Sequence, residues 1–237
     1  TEIDWHDRPP SRLELSPEQF IQQMVERHKP IAMVEGTNFR FGHRRAGSTA
    51  TLREIGKRLG FALHVSDLLQ VTLRDKLQVH ISSSLIRWLI GHGRVADAAI
   101  CLGRPGALRG DVVAGDQRGR EMGIRTANLD TTPQMLPADG VYAGDVDIDG
   151  QRYLAAVSVG IKPTFDQAER TCEAHVLDYD GDLYGRSLTV RMHRWLRDQW
   201  AFANAGQLVR QIQHDIELLR DYDAYDLLQP TTLARHP

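Results

Sequence analysis

Three evenly spaced glycines, Gly115, Gly119 and Gly123, lead into the small polar trio Thr126, Ala127 and Asn128. Arg118 and Arg120 stand among them. Glycine lets backbone N–H groups approach phosphate oxygens without Cβ hindrance, and arginine adds positive charge. The Thr126 hydroxyl and the Asn128 amide oxygen are hard ligands, of the kind Mg²⁺ takes while it keeps waters and phosphates. The segment is not a Walker loop, because G-x-x-x-x-G-K-[ST] occurs nowhere in the chain. A run of turns between strands, with solvated arginines, accounts for the same glycines.

Three further groups have chemistry to offer. In "RTCEAHVLDYDGDLYG", strand alternation sets Cys172, Ala174 and Val176 against Glu173, His175 and Leu177. A Glu173 carboxylate facing into a barrel beside a phosphate site would take the proton from an alcohol, although most strand glutamates simply face water. "VEGTNFRFGHRRAG" places Asn38, Arg40 and two phenylalanines after a strand, at the end where open α/β sheets bind ligands. Two core phenylalanines and a solvated basic turn fit it as well. In "ISSSLIR", Ser82, Ser83 and Ser84 open a helix with Arg87 one turn on. Such serines cap helices, and they also suit a phosphate at the helix N-terminus.

The elements that must position these groups fall into two textures. Up to about residue 102, strand and helix signals alternate. Ser16, Pro17 and Gln19 form a helix start, "IAMVEG" and "FALHVSD" read as strands, and "TLREIGKRLG" carries Leu52, Ile55 and Leu59 on one face. That alternation predicts a parallel sheet with covering helices. From residue 103 the chain is β-rich, with turn signals at Asp149-Gly150 and Asp180-Gly181, and predicts an antiparallel barrel or sandwich. A last helix puts Leu208, Ile212, Ile216 and Leu219 on one face. The expected domains are therefore 1–102 and 103–237.

Bulk properties narrow the function classes. A chain of 237 residues with net charge -2 does not favour a nucleic-acid surface. Its two cysteines form no disulfide framework and fit a reducing cytoplasm, and no apolar run is long enough to span a bilayer. The opening at Thr1, inside a polar stretch, reads as part of a longer protein.

Taken in order, "NFRFG", "ISSSLIR", "LGRP", "GDQRGREMGIRTANL", "LPADGVYAGDV", "GIKPTF" and "EAHVLDYDGDLYG" resemble the prokaryotic bifunctional riboflavin kinase/FAD synthetase family. The resemblance implies a partial Rossmann-like nucleotidyltransferase domain, then a six-stranded Greek-key β-barrel kinase domain with a C-terminal helix. It implies phosphorylation of riboflavin to FMN by ATP and Mg²⁺, and adenylation of FMN to FAD in the intact protein. By the same resemblance Glu173 is the catalytic base. Gly115, Arg120, Gly123, Thr126 and Asn128 bind ATP and Mg²⁺, with Thr126 and Asn128 on the metal. Arg197, Asn38 and Arg40 would bind flavin, and Ser83, Ser84 and Arg87 the phosphates used in adenylation. ATP, riboflavin and FMN are the implied partners, with no nucleic acid and no membrane.

The chain departs from the family pattern at several positions. Arg125 stands for a proline, Ser158 for an asparagine, and Gln199 and Ala201 for a glutamate and a lysine ahead of Phe202. The nucleotidyltransferase motif H-x-G-H is absent, and "GHGR" at 91–94 is not it, so the resemblance covers only the later part of that domain. A flavin- or nucleotide-binding module without turnover is the alternative reading. It draws on Arg125, Ser158 and Gln199, and the retained Glu173, Thr126 and Asn128 stand against it.

Overall fold

The computed structural model describes residues 14–115, 124–163 and 168–223. The chain divides into two compact units, the first ending at Gln70 and the second beginning at Val71.

In the first unit, helix α1 (Pro17–His28) begins at a complete capping box: Gln19 N–H donates to Ser16 Oγ, and the Gln19 side chain accepts from the Ser16 N–H. Helix α2 (Thr49–Leu59) is capped by Ser48 and stops at Gly60, which is in the left-handed conformation. Ile21, Phe41, Leu52, Ile55 and Phe61 make one apolar cluster. Strand β1 (Ala32–Gly36) pairs in parallel with β4 (Ala62–Ser66), while β2 (Arg40–Phe41) and β3 (Gly47–Ser48) form a short antiparallel pair. The predicted parallel sheet is thus two strands wide among the described residues.

A small sheet of β5 (Gln70–Thr72) and β6 (Gln78–His80) starts at the boundary, and the second unit continues with α3 (Ser83–Gly91) and α4 (Val95–Leu102). Six strands follow: β7 (Gly106–Val113), β8 (Ala127–Asp130), β9 (Gly140–Ile148), β10 (Gln151–Pro163), β11 (Ala168–Val176) and β12 (Ser187–Arg197). They close into a barrel in the order β10-β11-β8-β7-β12-β9, with every pairing antiparallel. The β9–β10 hairpin turns at Asp149-Gly150, both at positive φ, as the sequence requires of a tight two-residue turn. Inward residues such as Leu129, Tyr142, Val157, Cys172 and Val190 fill the barrel, and Val95 of α4 packs with them. α4 thus bridges two cores, with Val95 in the barrel and Ala98 and Cys101 in a cluster with Leu73 and Leu89, which ties residues 71–102 to the barrel and puts the packing boundary before the change of texture at 102–103.

Helix α5 (Ala205–Asp223) closes one side of the barrel from outside. Its Leu219 packs with Ala143, Ala156 and Leu177. Beside that seam Arg197, at the end of β12, is buried against Asp215 of α5. Arg197 Nε reaches both Asp215 oxygens and Nη2 donates to Oδ2 at 2.7 Å. Gln211 Nε2 adds a third donor to Asp215, so the buried carboxylate is matched by directional hydrogen bonds that accept one geometry.

A second polar knot lies elsewhere on the outer wall. Asp145 of β9 is 1% exposed and accepts from Arg191 and His193 of β12, with Arg152 of β10 at 3.6 Å. Burial pushes this carboxyl up, but the hydrogen bonds from His193 and Arg191 outweigh it and leave it below the usual carboxylate range. A lowered native pKa means stability that is present above the unfolded-state pKa and lost as acid protonates the group. Thermal unfolding followed by circular dichroism should show the midpoint falling as pH drops below about 4. Asp145→Asn should cost about 1–3 kcal/mol at neutral pH and flatten that acid dependence.

Candidate active site

Three residues singled out from the sequence share one level of the barrel wall. Asn128 of β8 lies directly opposite Glu173 of β11, and Glu173 directly opposite Ser158 of β10. Ala127, Leu129, Cys172, Ala174, Val157 and Val159 all belong to the interior cluster. Alternation therefore turns Asn128, Glu173 and Ser158 outward. Of the two orientations open for Glu173, the structure takes the outward one: the interior at this level is filled by Cys172 and Ala174, 1% and 0% exposed. Directly opposed residues on adjacent antiparallel strands have Cβ atoms only about 4.5–5.5 Å apart, so the three side chains form one row.

Beside the Asn128 end of the row opens a cavity of about 280 Å³. Its floor is apolar, made by Val112, Ala127, Ala174 and Val176, where the barrel interior reaches its mouth. Arg125, Thr126 and Asn128 form one wall, and the segment from Tyr179 to Tyr184 forms the other. Thr126 and Asn128, two apart in sequence, thus border one space, as their alternation demands.

Local contacts fix these walls. His175 Nδ1 donates to the Arg125 carbonyl oxygen at 2.6 Å, and Arg125 Nη1 donates to the Asp180 carbonyl oxygen at 3.0 Å. The Arg125 side chain therefore spans from one wall to the other. Tyr179 stands edge-on to Tyr153, centroids 5.2 Å apart, and Arg186 ties the same segment to Asp149 of the β9–β10 turn. Gly115 lies against the Asn128 side chain, and a Cβ built there would fall on its amide. The first glycine of the sequence motif thus leaves room for the Asn128 side chain in this conformation, and any Cβ there would require that amide to move. Gly119, Arg120 and Gly123 lie outside the described residues.

The remaining assigned residues are placed as follows. Arg197 directs Nε and Nη2 to Asp215 and Nη1 to the Asp198 carbonyl oxygen, and its guanidinium lies 5.2 Å from the Trp200 ring and 5.8 Å from Phe202. Gln199 Nε2 donates to Ser158 Oγ at 3.2 Å, so two of the positions that depart from the family pattern touch each other. Asn38 and Arg40 are exposed, on and just after the turn that follows β1, in the first unit rather than the barrel unit. Ser82 Oγ caps α3 by accepting from the Leu85 N–H, and Ser83, Ser84 and Arg87 are exposed on its first turns. The wall at 179–184 and the Gln199–Ser158 contact were not read from the sequence. The first was hidden inside a stretch identified only as a turn, although "YDGDLY" interleaves aromatics with turn residues.

As a holder of Mg²⁺ the site offers oxygen donors without a carboxylate cage. Among the described residues no group of three or more His, Cys, Asp or Glu is arranged to hold a metal. Thr126 and Asn128 at the rim of an open cavity fit an ion that brings its own phosphate and water ligands. Both cysteines are free and buried, and burial pushes the Cys172 thiol up to about 12, which leaves it unreactive. No helix among the described residues is long and apolar enough to cross a membrane.

Comparison with known proteins bears on both units. The riboflavin kinase family model matches residues 102–222, just over half of the chain, and the FAD synthetase family model matches residues 10–84. A bifunctional riboflavin kinase/FMN adenylyltransferase from Escherichia coli K12 is 33% identical over 210 residues, covering 88% of this chain and 66% of the relative. A protein of the same name from Bacillus subtilis is 30% identical over 206 residues, covering 85% and 63%. The chain thus spans slightly less than two thirds of the length of these relatives. A crystal structure from Streptococcus pneumoniae, titled a macrolide-efflux protein, superposes with a TM-score of 0.73 at 31% identity, covering 90% of this chain and 67% of that one. By these matched segments and relatives, the chain belongs to the bifunctional riboflavin kinase/FMN adenylyltransferase family.

Proposed function

We propose that the barrel unit transfers the γ-phosphoryl group of MgATP to the terminal ribityl hydroxyl of riboflavin, giving FMN and ADP. The observation that carries this reading is the outward row Asn128–Glu173–Ser158, with the cavity at its Asn128 end. In-line transfer sets the attacking and leaving oxygens on opposite sides of the phosphorus, with the proton acceptor within hydrogen-bond reach of the attacking hydroxyl. With the nucleotide at the Asn128 end, Glu173 is the next group along the row. The apolar floor at Val112, Ala127, Ala174 and Val176 suits the flat face of a purine, and Tyr179 to Tyr184 enclose it. The phosphates then lie toward Thr126, Asn128 and the Gly115 backbone, with Arg120 and Gly123 assigned to the same glycine-rich segment. Thr126 and Asn128 hold Mg²⁺, which supplies neutralisation of phosphate charge.

Glu173 takes the hydroxyl proton as that oxygen bonds to the γ-phosphorus and the bond to the ADP oxygen breaks. A carboxylate on the outer wall suits this task because the acceptor alcohol arrives from solvent. Arg197 holds the flavin side through the neighbouring Trp200 and Phe202 and through its anchor on Asp215. Retention of Thr126, Asn128 and Glu173 in one place supports turnover.

In the complete protein we assign the remaining nucleotidyltransferase part to adenylation of FMN, which joins the AMP portion of ATP to the FMN phosphate and releases pyrophosphate. Asn38 and Arg40 are then assigned to flavin and Ser83, Ser84 and Arg87 to phosphate. The substrates are small molecules, and two free, buried cysteines support a cytoplasmic setting.

Incubation with riboflavin, Mg²⁺ and ATP, followed by chromatographic separation of the flavins, tests the reading, and absence of FMN would refute it. Glu173→Gln should lower kcat for FMN formation by about 10²–10⁴-fold while riboflavin still quenches on binding. Near-normal turnover in that variant would remove Glu173 from the mechanism. Thr126→Ala should raise the Mg²⁺ concentration needed for half-maximal rate. Arg125→Ala should raise KM for MgATP by roughly 2–10-fold, the value of one hydrogen bond between the cavity walls, with little change in kcat. An unchanged KM would show that the Asp180 contact does not shape the nucleotide site.

A further inference from the structure

Ser158 and Gln199 are joined to each other and placed beside Glu173, and the phosphoryl-transfer chemistry proposed above does not use them. Ser158 occupies the flank of Glu173 opposite Asn128. Its hydroxyl receives the Gln199 side-chain amide at 3.2 Å. Gln199 belongs to the short segment between β12 and α5, whose first residue is anchored through Arg197 to Asp215. The same amide rests on Gly160 of β10, two residues from Ser158, where a Cβ would occupy its place. One long side chain from a connecting segment is thus seated by a hydroxyl and by a glycine, both on the outer wall.

We propose that the Gln199–Ser158 bridge, seated on Gly160, is a positioning device for the acceptor alcohol: it holds the 198–202 segment against the wall on the flavin side of Glu173. The inference rests on the riboflavin kinase reading. The nucleotide cavity lies at the Asn128 end of the row, so an acceptor in line with the transferred group must approach across Ser158. The bridge sets how closely Trp200, 53% exposed beside Arg197, comes to that approach. The amide of Gln199 donates to Ser158 Oγ, where an ionised carboxylate in its place would only accept.

The test compares Ser158→Ala, Gln199→Ala, the double variant, Gly160→Ala and Ser158→Thr in the full 237-residue chain. Gly160→Ala removes no polar group, and only the far end of a flexible side chain has to move. Riboflavin KM should rise roughly 2–10-fold in Ser158→Ala, Gln199→Ala and Gly160→Ala. MgATP KM should be unchanged in all three. The double variant should be no worse than either single one, as expected when both changes cut one interaction. Ser158→Thr keeps the hydroxyl and should restore a near-wild-type KM. Riboflavin affinity read by fluorescence quenching should follow the same pattern in any variant whose thermal midpoint matches the wild type.

Additive losses in the double variant, an equal rise in MgATP KM, or an unaltered riboflavin KM in Gly160→Ala would overturn the proposal. If the wild-type chain makes FMN and the variants behave in one of these ways, only the positioning role fails. If the wild-type chain makes no FMN, the kinase reading fails with it.

Discussion

Closure of the barrel in one register is the constraint on which the site depends. Strand side chains alternate with period two, so a one-residue slip between β8 and β11 would turn the Asn128 and Glu173 faces in opposite directions. What prevents the slip is the interior: Ala127, Leu129, Cys172 and Ala174 must stay inside, and each is less than a tenth exposed. The polar row outside is therefore specified by apolar packing inside. Neither Asn128 nor Glu173 needs to contribute stability for their pairing to persist.

Charge does a different job, at the places where the chain leaves the barrel. Arg197 and Asp215 are both buried and bind each other through several donors, so the end of β12 and the middle of α5 are fixed together. Hydrophobic packing at Leu219 alone would let the helix slide along the wall, whereas a buried, directional ion pair accepts one arrangement. The segment from Asp198 to Phe202 is held at its start by this anchor. The Asp145–Arg191–His193 knot ties β9 to β12 by the same means on another part of the wall.

Much of this was legible in the sequence because it follows from local rules. Ser16 and Gln19 announce α1, Asp149-Gly150 announces a hairpin, and Leu219 marks the buried stripe of α5. The convergence of Thr126 and Asn128 was legible too, since residues two apart on a strand share a face. The direction in which Glu173 faces was not. Alternation separates two faces but does not say which is inside, and a single carboxylate among Cys172 and Ala174 leaves the choice to long-range packing. The membership of α4 was hidden for the same reason: helical periodicity marks a buried face without naming what buries it. The contacts between Gln199 and Ser158 and between Arg125 and Asp180 join residues 41 and 55 apart, beyond the reach of any local pattern.

The contact between Gly115 and Asn128 couples two distant positions by volume. A substitution at Gly115 adds only a small apolar group far along the chain from β8, yet the new atom would fall where the Asn128 amide sits. Such a change would act on the cavity that Asn128 lines without altering any residue of its lining. A shorter side chain at 128 would clear the space that a Cβ at 115 needs. What residue 115 can be is thus set by the size of a side chain on strand β8.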